Sequence, residues 1–175
     1  FAGRWIKVQS RASSGNRYFQ IAELRASVAT TDPGTVNVAQ GAAVFASGPT
    51  WAGFPAANLT DGSAATFSHN LTMEPAFAYQ VRLIQAVAFT RLELVNRNDC
   101  CPDRLSNYRV SIHSDAGGAI GPAVWTADLR ADGSDSGLGG VDVISPSLNP
   151  TGSFEGQWIQ IQNLDNGSSR YLQIA

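Results

Sequence analysis

The chain has almost no lysine and no cluster of positive charge. Its 12 basic residues, of which only Lys7 is a lysine, stand against 14 acidic residues and leave a formal net charge of −2. Proteins that bind nucleic acid or an anionic membrane surface use a basic patch, which this sequence lacks. No apolar run approaches the ~20 residues that span a bilayer. We therefore expect no nucleic-acid partner and no membrane insertion.

Cysteine is also scarce, and its placement is unusual. The only two cysteines, Cys100 and Cys101, are neighbours in the chain. Neighbouring cysteines cannot join distant segments, so a long-range disulfide does not stabilise this fold. The residues leave two alternatives open: a pair of free thiols, as in a cytosolic protein, or a strained vicinal disulfide.

Good helix formers are few, whereas turn formers are plentiful. The chain has 17 Gly, 8 Pro and one Met, and the short segments between turns alternate apolar with polar residues. Such alternation is typical of half-buried antiparallel strands. We predict an all-β, antiparallel jelly-roll sandwich whose binding loops cluster at the ends of its sheets. The predicted strands are residues 79–84, 90–95, 108–113, 123–127, 141–144 and 157–162, and the predicted loops are residues 46–57, 61–76, 96–107, 114–122 and 131–139.

The two ends of the chain resemble each other. Aligning Phe1 with Phe154, an offset of 153 residues (154 minus 1), needs no gap. A duplicated strand pair explains this better than chance similarity of two amphipathic hairpins. The identical pairs include Trp5 with Trp158, Ile6 with Ile159, Gln9 with Gln162, Tyr18 with Tyr171, Gln20 with Gln173 and Ala22 with Ala175.

The offset is about the length of one domain, which predicts a tandem arrangement. Residues 1–26 are then the closing strand pair of a preceding unit, residues 27–35 are a linker, and residues 36–175 form the complete domain. The first copy continues into Glu23, whereas the second copy stops before that position. An unfinished strand leaves an open sheet edge that another strand can fill. We expect residues 17–26 to fill it, within the chain or from a neighbour.

The densest cluster of polar chemistry follows a strongly apolar strand. Residues 96–104 place Arg97 and Arg104 on either side of Asp99, in a loop stiffened by Pro102. A guanidinium offers parallel donors to neighbouring acceptors, and adjacent sugar hydroxyls present that geometry. Asp99 would keep the arginines oriented and partly neutralise them. The alternative is an ordinary solvated charged turn, which the adjacent cysteine pair makes less attractive.

This loop resembles the signature of the F-type lectins, fucose-binding modules of the discoidin-like (coagulation factor type C) superfamily. In that family a His is followed, some way on, by Arg-x-Asp, then four residues that hold an adjacent Cys pair, then Arg or Lys. The segment from Arg97 to Arg104 fits the second half without adjustment, and 27 residues separate His69 from Arg97, one more than the family spacing. The resemblance covers residues 36–175 and implies the sandwich fold of the superfamily.

The resemblance implies a role for each residue of the motif. His69, Arg97 and Arg104 would hydrogen-bond the ring oxygen and hydroxyls of L-fucose. Cys100 and Cys101 would pack against the sugar as a vicinal disulfide, whose polarisable sulfur face suits the flat face of a sugar ring. The ligand would be the terminal L-fucose of fucosylated glycans.

Fucose ends in a methyl group, so an apolar wall should face that carbon. Trp51 and Phe54 lie in the loop that could supply the wall, and we favour Trp51. Ordinary packing is the alternative for each of these aromatic residues. For His69 the alternative is a structural or exposed imidazole, and only its place relative to the arginine pair favours a binding role.

An oxygen-rich loop, residues 58–66, is a second candidate site. It combines an Asp-Gly turn with amide and hydroxyl oxygens, the hard ligands that Ca²⁺ prefers, but it needs a second carboxylate. The resemblance assigns that role to an Ala-Glu pair at the closing strand, which Ala22 and Glu23 supply here. The alternative is a common Asp-Gly turn without a metal. The loop ligands of this structural Ca²⁺ would be Asn58, Asp61, Ser63 and Thr66.

No arrangement in the sequence favours an enzyme. Ser136 lies in a Gly/Ser/Asp loop that lacks the turn of a hydrolase nucleophile, and no carboxylate pair, zinc motif or nucleotide-binding loop stands out. We predict a non-catalytic, calcium-stabilised lectin module for terminal L-fucose, one of a tandem series, secreted or displayed at the cell surface. One alternative is a structural module of an extracellular array or fibre, in which terminal strands join copies or neighbouring units by strand complementation. Another is a targeting module of a glycoside-degrading enzyme.

Overall fold

The fold is built almost entirely from strands. The computed structural model describes residues 4–9, 18–29, 35–72, 77–144, 154–163 and 172–173. Within these residues there are 13 strands and two short 3₁₀ helices, Ala56–Thr60 and Pro102–Arg104, and no helix is long and apolar enough to cross a bilayer. The strands are β1 (Trp5–Gln9), β2 (Phe19–Ile21), β3 (Glu23–Ala29), β4 (Thr35–Asn37), β5 (Ala43–Ala46), β6 (Ser68–His69), β7 (Ala78–Phe89), β8 (Arg91–Val95), β9 (Tyr108–Ala116), β10 (Ala119–Leu129), β11 (Val141–Ile144), β12 (Phe154–Asn163) and β13 (Leu172–Gln173).

The described strands form three sheets. A six-stranded sheet has the order β10-β9-β1-β12-β7-β5, a four-stranded sheet the order β11-β8-β3-β4, and a three-stranded sheet the order β13-β2-β6. Pairing among the described strands is antiparallel except in two pairs, β1 with β12 and β13 with β2. The predicted all-β, antiparallel sandwich is confirmed.

The core joins the six-stranded sheet to the four-stranded sheet. Alternate residues of their strands, such as Val81 and Leu83 on β7 and Leu92 and Leu94 on β8, belong to one buried cluster. Burial of an aliphatic side chain of this size stabilises the fold by about 1.5–3 kcal/mol. The sheets therefore give the loops between them a rigid support.

One loop prediction is wrong. A loop is expected at residues 114–122, but β9 continues to Ala116 and β10 begins at Ala119. Gly117 and Gly118 have φ values of +68° and +94°, so they make a two-residue hairpin turn that longer side chains would strain. Pro122 is tolerated because the register of β10 against β9 shifts between Ile120 and Ala123. The loops expected at residues 61–76 and 96–107 also contain structure, the short strand β6 and the second 3₁₀ helix.

The first copy of the terminal repeat is built into the domain. β1 lies in the six-stranded sheet, β2 in the three-stranded sheet, and β3 in the four-stranded sheet between β8 and β4. The segment expected as a linker includes the end of β3 and the start of β4, which pair from Ser27 with Asn37 to Ala29 with Thr35. The tandem origin of residues 1–26 stays a prediction.

Candidate functional site

The loop after β8 is fixed to a second loop. Asn96 is buried, and its side-chain amide donates to the carbonyls of Pro102 at 2.9 Å and Gly137 at 3.0 Å. The next residue, Arg97, accepts from the backbone N–H of Gly139 at 2.9 Å through its carbonyl. These hydrogen bonds hold the backbone at Asn96 and Arg97 in place. They therefore fix the point from which the Arg97 side chain extends.

Arg97 is a buried and highly organised guanidinium. Only 7% of the residue is exposed. Its Nε and Nη2 donate to the two carboxylate oxygens of Asp99, and its Nη1 donates to Oε1 of Gln20 at 2.5 Å. The guanidinium carbon lies 4.0 Å from the centroid of the Phe67 ring. Hydrogen bonding from Arg97 holds the pKa of Asp99 below its usual value, so Asp99 is ionised at neutral pH.

Gln20 connects the two arginines of the motif. Its Oε1 accepts from Nη1 of Arg97 and also from Nη1 of Arg104 at 3.2 Å. Arg104 additionally places its guanidinium carbon 6.0 Å from the centroid of the Tyr18 ring. Gln20 and Tyr18 were not expected at this site. The signal that could have found them is the repeat, because both precede Glu23 in the segment expected to close the domain.

His69 belongs to the same group of residues. It lies on β6, opposite Gln20 in the pairing of β6 with β2. Its Nδ1 lies 2.5 Å from the carbonyl oxygen of Asn70. A carbonyl only accepts, so the neutral ring carries its proton on Nδ1 and leaves Nε2 as an acceptor, which no described residue contacts by hydrogen bonding.

The pKa of His69 is lowered to about 4, mainly by burial and also by the positive charges of Arg104 and Arg97, against the opposing hydrogen bond to Asn70. The ring is therefore neutral at pH 7, and Nε2 can accept a hydrogen bond from a ligand hydroxyl. Two cationic donors and one neutral acceptor lie together in this part of the molecule.

Exposed aromatic rings surround His69. The Trp51 and Phe54 rings lie 6.0 Å and 6.2 Å from the His69 ring, and 45% and 37% of these residues are exposed. Backbone hydrogen bonds fix their loop to β6, from Trp51 N–H to the His69 carbonyl at 2.9 Å and from His69 N–H to the Phe54 carbonyl at 3.1 Å. Phe54 also stacks on Phe67 at 4.3 Å. Trp51 and Phe54 thus present a partly exposed aromatic surface beside His69, and its role as a wall for a ligand methyl group stays a prediction.

Cys100 and Cys101 are not joined by a disulfide in the structure, and both are partly buried. Burial raises the pKa of Cys100, so its sulfur is protonated at neutral pH. Cys101 has φ of +56°, a left-handed conformation that is uncommon for a residue with a side chain. The backbone N–H of Cys100 donates to Oδ1 of Asp99 at 2.9 Å. The pair therefore adjoins the Arg97–Asp99 ion pair.

The predicted metal loop is held by its own side chains. Asp61 accepts from the Ser63 backbone N–H at 2.8 Å and from the Thr66 hydroxyl at 2.6 Å. The side-chain amide of Asn58 donates to the Phe67 carbonyl at 3.0 Å. Ala22 is buried beside this loop, in contact with a small apolar cluster of Val95, Ala64 and Phe67.

Glu23 lies on β3 and faces the 58–66 loop. Its hydrogen-bond partner in that loop, Gly62, is 39 residues away in sequence. Glu23 is fully buried, and its Oε2 accepts from the backbone N–H of Gly62 at 3.1 Å. Its Oε1 has no hydrogen-bond partner among the described residues. The pKa of Glu23 is raised to about 7, mainly by burial and also by the negative charge of Asp61.

Carboxylates could supply only part of the ligand set that a hard cation needs at this loop. Among the described residues no group of three or more His, Cys, Asp or Glu side chains could hold a metal. Two carboxylates, Glu23 and Asp61, are close enough to influence each other, and one buried oxygen of Glu23 lacks a partner. Further ligands would have to be the carbonyl and hydroxyl oxygens of the loop, which Ca²⁺ accepts.

An all-β sandwich with a polar site carried on its loops is an architecture that suits a binding domain. A family model described as NedA-like, galactose-binding domain matches residues 58–168, more than half of the chain. The chain belongs to this family, whose description is that of a carbohydrate-binding domain. Comparisons with curated proteins and with solved structures gave no match. The matched segment contains His69, Arg97 and Arg104 and leaves out Gln20 and Glu23.

Proposed function

We propose that the chain is a non-catalytic lectin module that binds terminal L-fucose. The observation that carries the proposal is the neutral imidazole of His69, with an open acceptor nitrogen, beside two guanidinium groups that share one oxygen of Gln20. A sugar hydroxyl can donate one hydrogen bond and accept others. Donors and an acceptor placed together therefore suit adjacent hydroxyls of one sugar ring.

The proposed roles follow from donor and acceptor capacity. Arg97 and Arg104 carry only donors, so they would bind hydroxyl oxygens and the ring oxygen, which only accepts. Nε2 of His69 would accept a hydrogen bond from a hydroxyl. Charge-assisted bonds of this kind are about twice as strong as neutral ones. Asp99 and Gln20 hold the arginines in place and so reduce the entropy lost on binding.

The apolar wall supports the choice of a deoxy sugar. Trp51 and Phe54 are half-exposed beside His69, and an exposed aromatic surface of this kind gains stability when an apolar group covers it. The methyl group of L-fucose is such a group, whereas the hydroxymethyl group of other hexoses would lose hydration against the rings.

We further propose that Cys100 and Cys101 are joined when the protein reaches an oxidising compartment, outside the cell or at its surface. The two thiols lose two protons and two electrons, forming one S–S bond, and a partner disulfide is reduced to two thiols. The left-handed backbone at Cys101 supports this role, because such strain is concentrated at ligand sites. The sulfur face would pack against the sugar.

A structural Ca²⁺ at the 58–66 loop is part of the proposal. Glu23 and Asp61 would supply charge, and oxygens of Ala22, Asn58, Ser63 and Thr66 would complete the ligand set. The support is the buried Oε1 of Glu23, which has no hydrogen-bond partner among the described residues. When bound, the ion would neutralise the two carboxylates and fix the loop next to β6.

Titration of the full chain with simple sugars tests the lectin function. We expect saturable binding of L-fucose by isothermal calorimetry, and at least about tenfold weaker binding of D-galactose and D-mannose, because neither presents a methyl group to the aromatic wall. A thiol reductant should weaken L-fucose binding. Equal affinity for the three sugars, or no binding of L-fucose with calcium present, would contradict the proposal.

Trp51→Ala should reduce the preference for the methyl group. Removal of the indole takes away apolar contact worth about 1–1.5 kcal/mol, so we expect about tenfold weaker binding of L-fucose. L-galactose, which has a hydroxymethyl group at the same carbon, should lose much less. Phe45→Ala is the matched control, since Phe45 is 47% exposed on β5. An equal loss for both sugars would show that Trp51 does not contact the methyl group.

The repeat supports a second role, assembly by strand complementation between copies or neighbouring units. β1 and β12 pair in parallel, with Trp5 beside Trp158 and Ile6 beside Ile159. β13 and β2 also pair in parallel, with Gln173 beside Gln20. The equivalent residues Gln9 and Gln162 have the same partner on β9, Arg109, as strands that can replace each other would.

A further inference from the structure

Backbone strain is concentrated in and beside the loop that follows β8. Among the described residues three that are not glycine have a left-handed backbone, namely Cys101, Asn107 and Arg130, with φ of +56°, +47° and +50°. Cys101 and Asn107 lie between β8 and β9, and the backbone N–H of Asn107 donates to the Arg130 carbonyl at 2.9 Å. Such conformations persist only where the surroundings enforce them, and they cluster at ligand sites. The contacts of Arg130, the residue that follows β10, show what enforces its conformation.

The Arg130 side chain is held by a buried carboxylate. Asp142 on β11 is 6% exposed, and it accepts from Nε of Arg130 at 2.8 Å and 2.9 Å and from Nη2 at 2.5 Å. The hydroxyl of Tyr108, which is fully buried on β9, donates to Oδ2 of the same carboxylate at 2.5 Å. A buried carboxylate is costly unless it is paired and hydrogen-bonded. The position of the Arg130 guanidinium is therefore set by a buried partner.

The remaining nitrogen of Arg130 holds the neighbouring loop, residues 131–139. Its Nη1 donates to the Asp135 carbonyl at 2.6 Å. Oδ1 of Asp135 in turn accepts from the backbone N–H of Gly137 at 2.7 Å. A planar guanidinium can serve a carboxylate and a carbonyl in different elements at once, whereas lysine donates from a single nitrogen. Arg130 therefore joins the buried carboxylate to the 131–139 loop.

The same loop holds the backbone of Arg97. The Gly137 carbonyl accepts from the side-chain amide of Asn96 at 3.0 Å, and the backbone N–H of Gly139 donates to the Arg97 carbonyl at 2.9 Å. A connected series of hydrogen bonds therefore runs from Arg130, through this loop, to the backbone of the buried arginine in the candidate site.

We propose that Arg130 is a positioning residue of the sugar site, which acts through the 131–139 loop on Arg97. The inference rests on the proposed lectin function, because it concerns how the donors of that site are held. A guanidinium whose backbone is fixed before the sugar arrives loses less conformational entropy on binding. Release of the loop would keep the Arg97 side chain bonded to Asp99 and Gln20 but would let its backbone move.

Arg130→Lys in the full chain tests the proposal. Lysine keeps a positive charge beside Asp142 but gives up the bond to the Asp135 carbonyl. We expect L-fucose binding to be about five- to tenfold weaker by isothermal calorimetry, the change that corresponds to loss of one hydrogen bond. The backbone N–H of Gly139, which donates to the Arg97 carbonyl, should exchange with solvent faster by a similar factor in NMR hydrogen exchange.

Tyr108→Phe is the matched control. It removes another donor to Asp142 but leaves Arg130 in contact with the loop. It should lower the melting temperature and leave both L-fucose affinity and Gly139 exchange unchanged. Asp135→Ala interrupts the series from the loop side without touching the buried ion pair, so it takes the place of Arg130→Lys if that variant does not fold. It should reproduce both effects.

The combined outcomes separate the possible explanations. Equal weakening by Tyr108→Phe and Arg130→Lys would mean that lost stability reduces the affinity, and would overturn the positioning role. Faster Gly139 exchange with unchanged affinity would overturn it too, and would make Arg130 an anchor of the loop alone. Weaker affinity with unchanged Gly139 exchange would overturn the route through the loop. Absence of L-fucose binding by the wild-type chain would overturn the lectin function itself, whereas Gly139 exchange would still show whether Arg130 fixes the backbone of Arg97.

Discussion

Replacement of Arg97 by lysine is expected to weaken L-fucose binding by about a hundredfold, or about 3 kcal/mol. Lysine keeps the charge but loses the planar fork that holds Asp99 with two nitrogens and Gln20 with the third. It also loses the flat contact with the Phe67 ring, whose centroid lies 4.0 Å from the guanidinium carbon. The donors would then no longer be held toward the sugar. Isothermal calorimetry with L-fucose measures the loss.

The chain provides a matched control for this substitution. Arg109 also binds a carboxylate with two nitrogens, to Asp128 at 2.5 Å and 2.8 Å, but on an exposed strand face. Arg109→Lys should leave L-fucose affinity unchanged, because an exposed ion pair contributes little and lies outside the site. Thermal melting shows whether each variant is folded at the temperature of the titration. Unchanged affinity in a folded Arg97→Lys variant would remove Arg97 from the proposed binding group.

Alternation in the sequence predicts most of the sheet structure because it is a local property. The strand predicted at residues 141–144 matches β11, and the strands predicted near Tyr79 and Ala123 are found as parts of longer ones. The errors concern features that depend on pairing. β6 is only two residues long and exists because β2 lies beside it, and the turn at Gly117 and Gly118 extends two strands into a predicted loop.

The residues of the candidate site also divide into those that a local pattern predicts and those that only strand pairing brings in. Arg97, Asp99 and Arg104 are close in sequence, so their grouping can be read from a single loop. Gln20 reaches this loop from 77 residues away in sequence, through the pairing of β2 with β6, and no local pattern marks it. Glu23 is an intermediate case. The family resemblance, together with the comparison of the two chain ends, predicts that it approaches the 58–66 loop, and the structure places its carboxylate 3.1 Å from Gly62 N.

Glu23 and His69 give the stability of the protein two opposite dependences on pH. The pKa of Glu23 is raised from 4.5 to about 7 in the folded chain, so between these values the folded chain holds a proton that the unfolded chain has lost. Stability from this group falls as pH rises through that window. The pKa of His69 is lowered from 6.5 to about 4, so the unfolded chain holds the extra proton there, and stability rises with pH.

Glu23→Gln should therefore change the shape of the pH profile. In the wild-type chain without calcium the two slopes oppose each other between about pH 4.5 and 6.5, which gives a flat curve. Glu23→Gln removes the falling part, so we expect stability to rise with pH by up to about 3 kcal/mol. His69→Gln should remove the rising part, so that only the fall of stability with pH remains. Urea unfolding at a series of pH values measures both curves.

Calcium should act through the same carboxylate. At pH 8 Glu23 is ionised and the ion would offset the cost of its burial, so calcium at a hundredfold excess over its dissociation constant should stabilise the wild-type chain by about 2.7 kcal/mol. At pH 5 the proton occupies Glu23 and the stabilisation should largely disappear. Glu23→Gln should abolish it at both pH values, whereas Glu93→Gln, on the exposed ion pair with Arg91, should not. If calcium stabilised Glu23→Gln as much as the wild type, Glu23 would not be a ligand, and its open oxygen would be only a buried acid.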